Sequence, residues 1–147
     1  MLKLFFLILA VGSLTFCQAL GFSILSIKPN IALVAIITVS FFATNLWHRI
    51  FLVLLSAMIL KFAPGFEKEI LIFSLIGAAM VISRDYLPWH HFLNNLFLVA
   101  VGTLVFYLLL APNLILSAVF LAELFLNLVF GVLIFALLKY LWQNKKI

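Results

Sequence analysis

Apolar residues fill about six long stretches of this 147-residue chain, and its four prolines stand only in the breaks between them. A missing N–H and a fixed φ end a helix cheaply at Lys28-Pro29-Asn30, Ala63-Pro64-Gly65, Leu87-Pro88-Trp89 and Ala111-Pro112-Asn113. The stretches run from Leu4 to Ile24, Ile31 to Trp47, Ile50 to Phe62, Ile70 to Ser83, Phe92 to Leu110 and Leu114 to Leu138. Residues are 68% apolar and 9% charged, outside the range of ordinary soluble domains. In hydrocarbon every backbone polar group must be paired within the protein, and none of the stretches alternates as a barrel strand does. The sequence therefore predicts an all-α, polytopic transmembrane helix bundle of about six spans.

A crossing helix needs about 20 residues. The first, fifth and sixth stretches meet that length. The third and fourth are shorter and predict either spans completed by snorkelling His48, Arg49, Lys61 and Arg84 or a re-entrant hairpin about Ala63-Pro64-Gly65. Both arrangements return the chain to the same side.

Sidedness follows from the basic residues, which are retained in the cytoplasm more often than exported. Lys3, Arg49, Arg84, Lys139, Lys145 and Lys146 fall on one side, and Lys28, Lys61 and Lys68 on the other. Six against three predicts that both termini are cytoplasmic. Trp47, Trp89 and Trp142, with Tyr86 and Tyr140, mark the same interface as an aromatic belt. The net charge of +5 is then mostly topological, and Lys145-Lys146 suits an anionic inner leaflet. No basic stripe interleaved with aromatics lies on a soluble element, so nucleic acid is not expected as a partner.

Lys3, the apolar stretch Leu4 to Phe16 and Cys17-Gln18-Ala19 have the outline of a secretory signal. A retained first span is simpler, given five more stretches behind it. One cysteine cannot form an internal disulfide. With no composition shift or repeat, residues 1–147 read as a single transmembrane domain. No phosphate-binding Gly loop, Cys pair or zinc motif is present, so neither a cofactor nor an enzymatic activity is expected.

Glu123 is the sole acidic residue deep within a stretch, and Asn127 lies one helical turn later on the same face. A carboxylate there costs at least a few kcal/mol, about 2.5 or more, and must protonate or find a partner. It is read either as a coupling or substrate-binding group or, more simply, as packing glue with Asn127. Asn94 and Asn95 open the fifth stretch and Asn45 nears the end of the second. They are read as a shared polar layer or as interhelical and helix-end hydrogen bonding. His48, His90, His91 and Asp85 share one side, but adjacent histidines on a helix diverge by about 100° and enforce no metal geometry. Glu67-Lys68-Glu69 is expected to form a solvated turn.

The layout itself carries a resemblance. A first span is followed by Pro29-Asn30-Ile31-Ala32-Leu33-Val34 opening a strongly apolar second one. Short central stretches follow, and the last span holds Asn127-Leu128-Val129-Phe130 before a basic end. This resembles the rod shape-determining protein MreD family over nearly the whole chain. The resemblance implies a bacterial inner-membrane scaffold of the cell-elongation complex, beside an MreC-like bitopic protein and the peptidoglycan-synthesis machinery. The family is also similar in architecture to substrate-binding subunits of energy-coupling-factor transporters, which supplies the competing expectation of a small-molecule pocket at Glu123, Asn127, Asn94 or Asn95.

Overall fold

The computed structural model describes residues 2–62 and 67–144. The expected hinge at Ala63-Pro64-Gly65 and the basic pair Lys145-Lys146 lie outside them. Six α-helices follow in order: α1 (Leu2–Ala19), α2 (Ile31–Ser40), α3 (Leu46–Lys61), α4 (Glu67–Ser83), α5 (His91–Leu110) and α6 (Ala118–Asn144). Single turns of 3-10 helix at Arg84–Tyr86 and Pro112–Leu114 precede α5 and α6. No β-strand occurs among the described residues. Two helices, His91–Leu110 and Ala118–Gln143, are long and apolar enough to cross a membrane.

The helices surround α2, which packs against each of the other five. All ten of its residues are buried. The reason is chemical: IALVAIITVS offers no charged or strongly polar stripe, and a helix that is apolar all round belongs in an interior. At about 1.5 Å per residue α2 is about 15 Å long, half of a hydrocarbon core. Gly102 of α5 admits this close packing, since a Cβ there would lie 3.1 Å from Ile37 Cδ1.

Several expected boundaries shift. The stretch Ile31 to Trp47 is not one helix: α2 stops at Ser40, residues 41–45 are irregular, and α3 begins at Leu46. No proline marks this break. It is held by Asn45, whose Oδ1 accepts the Trp47 N–H at 3.1 Å. The third and fourth stretches gain length, to 16 residues in α3 and 17 in α4. Glu67-Lys68-Glu69 forms the first turn of α4 instead of a solvated turn. The first helix ends at Ala19, and the connection to α2 contains a tight turn in which Ile24 and Ile27 exchange two 2.9 Å backbone hydrogen bonds. Leu25 and Ser26 both take left-handed backbone angles there, φ 51° and 67°.

Alternation of the helices gathers the connections at two ends. One end holds the end of α2, the start of α3, the α4–α5 connection and the last turns of α6. Phe41 meets His91 there with ring centroids 6.0 Å apart, and Phe42 meets Trp142 at 5.6 Å. Trp47, Tyr86, Trp89 and Tyr140 are exposed near this end. Lys28 in the α1–α2 connection, Lys61 ending α3 and Lys68 in the first turn of α4 lie toward the opposite end, so the two groups of basic residues are spatially separate.

Candidate functional site

A short buried helix has a serious difficulty at its termini, where four N–H and four C=O groups lack intrahelical partners. At the N-terminal end of α2 every one of the four donors is met. Asn127 Oδ1, from α6, accepts the Asn30 N–H at 2.9 Å. The Ile31 N–H reaches Pro29 O at 2.9 Å. Gln18 Oε1, from α1, accepts the Ala32 N–H at 2.7 Å. Asn30 Oδ1 accepts the Leu33 N–H at 3.2 Å, the ordinary N-cap bond. Asn127 is oriented from behind, since its Nδ2 donates to Thr103 Oγ1 at 3.0 Å and Thr103 in turn donates to Val99 O at 2.9 Å.

The C-terminal end is equally complete. Ser40 Oγ donates to Ile37 O at 2.7 Å, the N–H groups of Phe41 and Phe42 reach Thr38 O and Val39 O, and Ala43 N–H reaches Ser40 O. Arg84 Nη1 also donates to Ser40 O, and Arg49 Nε donates to Ala43 O at 3.1 Å. Guanidinium groups suit this end because the aligned peptide dipoles leave it partially negative. Asp85 joins the two arginines through Arg49 Nη1 at 2.6 Å and Arg84 Nε at 3.0 Å. Partial burial works against its charge, but the two guanidiniums outweigh it and hold the carboxyl below its ordinary range. Burial and the neighbouring Arg49 lower the Arg84 value.

Glu123 lies nearer a helix end than the apolar stretch suggests. Because α6 begins at Ala118, Glu123 is its sixth residue, about 8 Å from the start. Its Oε2 accepts the Tyr107 hydroxyl, whose ring packs on Phe120 with centroids 5.0 Å apart. The pair clips together the tip of the α5–α6 hairpin. Asn127, one turn on, interacts with Glu123 and also bonds the start of α2 and Thr103.

Asn94 and Asn95 diverge. Asn94 Nδ2 donates to Leu87 O at 3.2 Å, toward the α4–α5 connection, while Asn95 Nδ2 donates to Gly131 O of α6 at 3.3 Å. Asn95 is eight residues before Thr103, about 12 Å along α5. Asn94 and Asn95 thus lie away from Glu123 and Asn127, which interact with each other beside Tyr107 and Thr103. Asn45 is an exposed cap of α3, apart from Asn94 and Asn95. Of the histidines, His90 caps α5 through Nδ1 and His91 packs on Phe41. Among the described residues no three His, Cys, Asp or Glu side chains form a metal-ligand group.

The capping by Gln18 and Asn30, the contacts of Thr103 and Tyr107, and the joining of Arg49 and Arg84 through Asp85 were not expected from the sequence. Asn30 was recoverable, because an Asn directly before an apolar run is an N-cap signal. Nothing local could have joined Arg49 to Asp85 across 36 residues.

Compared with family models, curated proteins and solved structures, the chain matches none of them.

Proposed function

We propose that this chain is a multi-pass inner-membrane scaffold, a non-enzymatic subunit of the kind the MreD-like layout implies. On this reading all six helices cross or enter the bilayer with both termini cytoplasmic. Its partners are membrane lipids, an MreC-like bitopic protein and the peptidoglycan-synthesis machinery. One observation carries the reading: the buried polar side chains of α1, α5 and α6 bond across to other elements, Thr15 to Ser56 of α3, Asn94 to the α4–α5 connection, Glu123 and Asn95 between α5 and α6, and Asn127 to the start of α2. A small-molecule site needs polar groups that converge in a concave space. Here Glu123 and Asn95 tie α5 to α6 at well-separated levels, Asn127 holds α2 and Asn94 holds the α4–α5 connection, which favours a rigid body over a substrate-binding transporter subunit.

The test is crosslinking and affinity capture of the tagged chain from native membranes. Recovery of MreC-like and peptidoglycan-synthesis proteins is the expected outcome. Recovery of ATPase and transmembrane coupling subunits instead would transfer the chain to the transporter class.

A further inference from the structure

Beneath the end of α2, two guanidinium groups share one carboxylate. Arg49 takes Asp85 Oδ2 and Arg84 takes Asp85 Oδ1, while their remaining bonds go to the main chain at Ala43 and Ser40. The Nη2 group of each arginine donates to no described residue, the Arg49 and Arg84 side chains are 5% and 12% exposed, and the Arg84 guanidinium lies over the Phe41 ring at 5.2 Å. Two cations against one anion leave a formal +1, of which the carbonyl end of α2 offsets about half. The group opens outward through Asp85, whose side chain is 50% exposed. Around the opening the neighbouring turns present Trp47, Tyr86 and Trp89, all exposed, and α3 and α4 leave Phe51 and Ile82 uncovered.

We propose that Arg49 and Arg84 form a headgroup site for an anionic phospholipid, whose phosphate takes the unused Nη2 donors. Guanidinium forks match phosphate oxygens, and a second anion relieves the repulsion between two cations held on one carboxylate. An acidic peptide would satisfy the charge alone. A phospholipid satisfies the charge and also the aromatic and aliphatic surface beside it, with rings of Trp and Tyr at headgroup depth. The site differs from diffuse attraction of a basic tail because it depends on two named side chains and one counter-charge.

The test uses quenching of the intrinsic tryptophans, two of which flank the site, by brominated phosphatidylglycerol or brominated phosphatidylcholine in vesicles containing the full chain. Each basic group at a membrane surface changes anionic-lipid affinity about fivefold. Brominated phosphatidylglycerol is therefore expected to quench at about a fivefold lower mole fraction than the zwitterionic lipid. Arg84→Gln should abolish that preference, and Asp85→Asn should increase it, with helicity followed by circular dichroism. A merely structural role for the three residues predicts no gain from Asp85→Asn. Equal quenching of the unaltered chain by the two lipids overturns the proposal even where a substituted chain fails to insert. A preference untouched by both substitutions overturns it in favour of diffuse charge. Reversal of quenching by excess inorganic phosphate, or by a polyglutamate peptide, overturns it in favour of a free anion or an acidic protein partner.

Discussion

The side-chain oxygen of Asn127 in α6 accepts the backbone N–H of Asn30, 97 residues earlier, at 2.9 Å. Through this bond the last helix holds the first turn of the central one. Both residues are shut away from solvent, so water cannot replace either partner when the other is lost.

Replacing Asn127 with Leu is expected to cost about 2–4 kcal/mol, because it strands a buried N–H on Asn30 and an acceptor on Thr103. Thr103→Val alone should cost about 1 kcal/mol, since Asn127 keeps its bond to Asn30. The two are coupled, so Thr103→Val should cost less when Asn127 is already Leu. Denaturant titration of the four chains in micelles measures this, and strict additivity would show that Thr103 does not orient Asn127.

At the hairpin tip Glu123→Gln keeps an acceptor for the Tyr107 hydroxyl. Stability should stay within about 0.5 kcal/mol of the parent and partner capture should be unchanged. Tyr107→Phe removes the donor and should cost about 1–2 kcal/mol. Loss of partner capture in a normally stable Glu123→Gln chain would make Glu123 a functional carboxylate and not a clip.

Asp85 gives the fold a pH dependence of known sign. Its folded value lies below the unfolded one, so its contribution is present above the ordinary carboxylate value, about 3.9, and is lost as pH falls through the lower folded value. Its half-exposed side chain limits the contribution to about 1 kcal/mol. Stability of the parent minus that of Asp85→Asn should be level between about pH 5 and 7 and shrink toward zero in stronger acid. A difference that grows on acidification would reverse the assignment.

A Cβ at Gly102 would lie 3.1 Å from Cδ1 of the buried Ile37, which must shift by a few tenths of an ångström to admit it. Gly102→Ala is expected to destabilise by about 1–2 kcal/mol through overpacking. Adding Ile37→Val, which removes the Cδ1 methyl that meets the new Cβ, should recover part of the loss. Thermal unfolding of the single and double variants decides it: a double variant less stable than Gly102→Ala would refute the contact.

The turn between Ile24 and Ile27 holds two non-glycine residues at positive φ, an arrangement that favours Asn-Gly. Leu25→Asn with Ser26→Gly should raise stability by up to about 1 kcal/mol per residue. No gain in the unfolding midpoint would mean that Leu25, 91% exposed, contributes a contact outside the chain.

The candidate site was legible only in part. Asn127 and Glu123 stand out by polarity within apolar runs, and both are buried as expected. Their spacing suggested one shared face, where they do interact, and each also takes a further partner from another element, Asn30 and Tyr107. The reason is that a helical turn separates them by about 6 Å, enough for two neighbouring helices to claim one residue each. Asn94 and Asn95 diverge for a related reason, since adjacent side chains on a helix point about 100° apart.

Helicity of the described chain, the place of most helices and the sharing of ends by connections were legible in local facts: hydrogen bonds four residues apart close a helix, prolines interrupt it, and charges stay out of apolar runs. That Ile31–Ser40 is the centre, and that the apolar run containing it breaks at Phe41, came from packing between distant segments. A terminus without proline or glycine is stable there because Arg84, from the turn after α4, meets the Ser40 carbonyl and Arg49, from α3, meets the Ala43 carbonyl just beyond it. Such partners are distant in the chain, and packing alone brings them together.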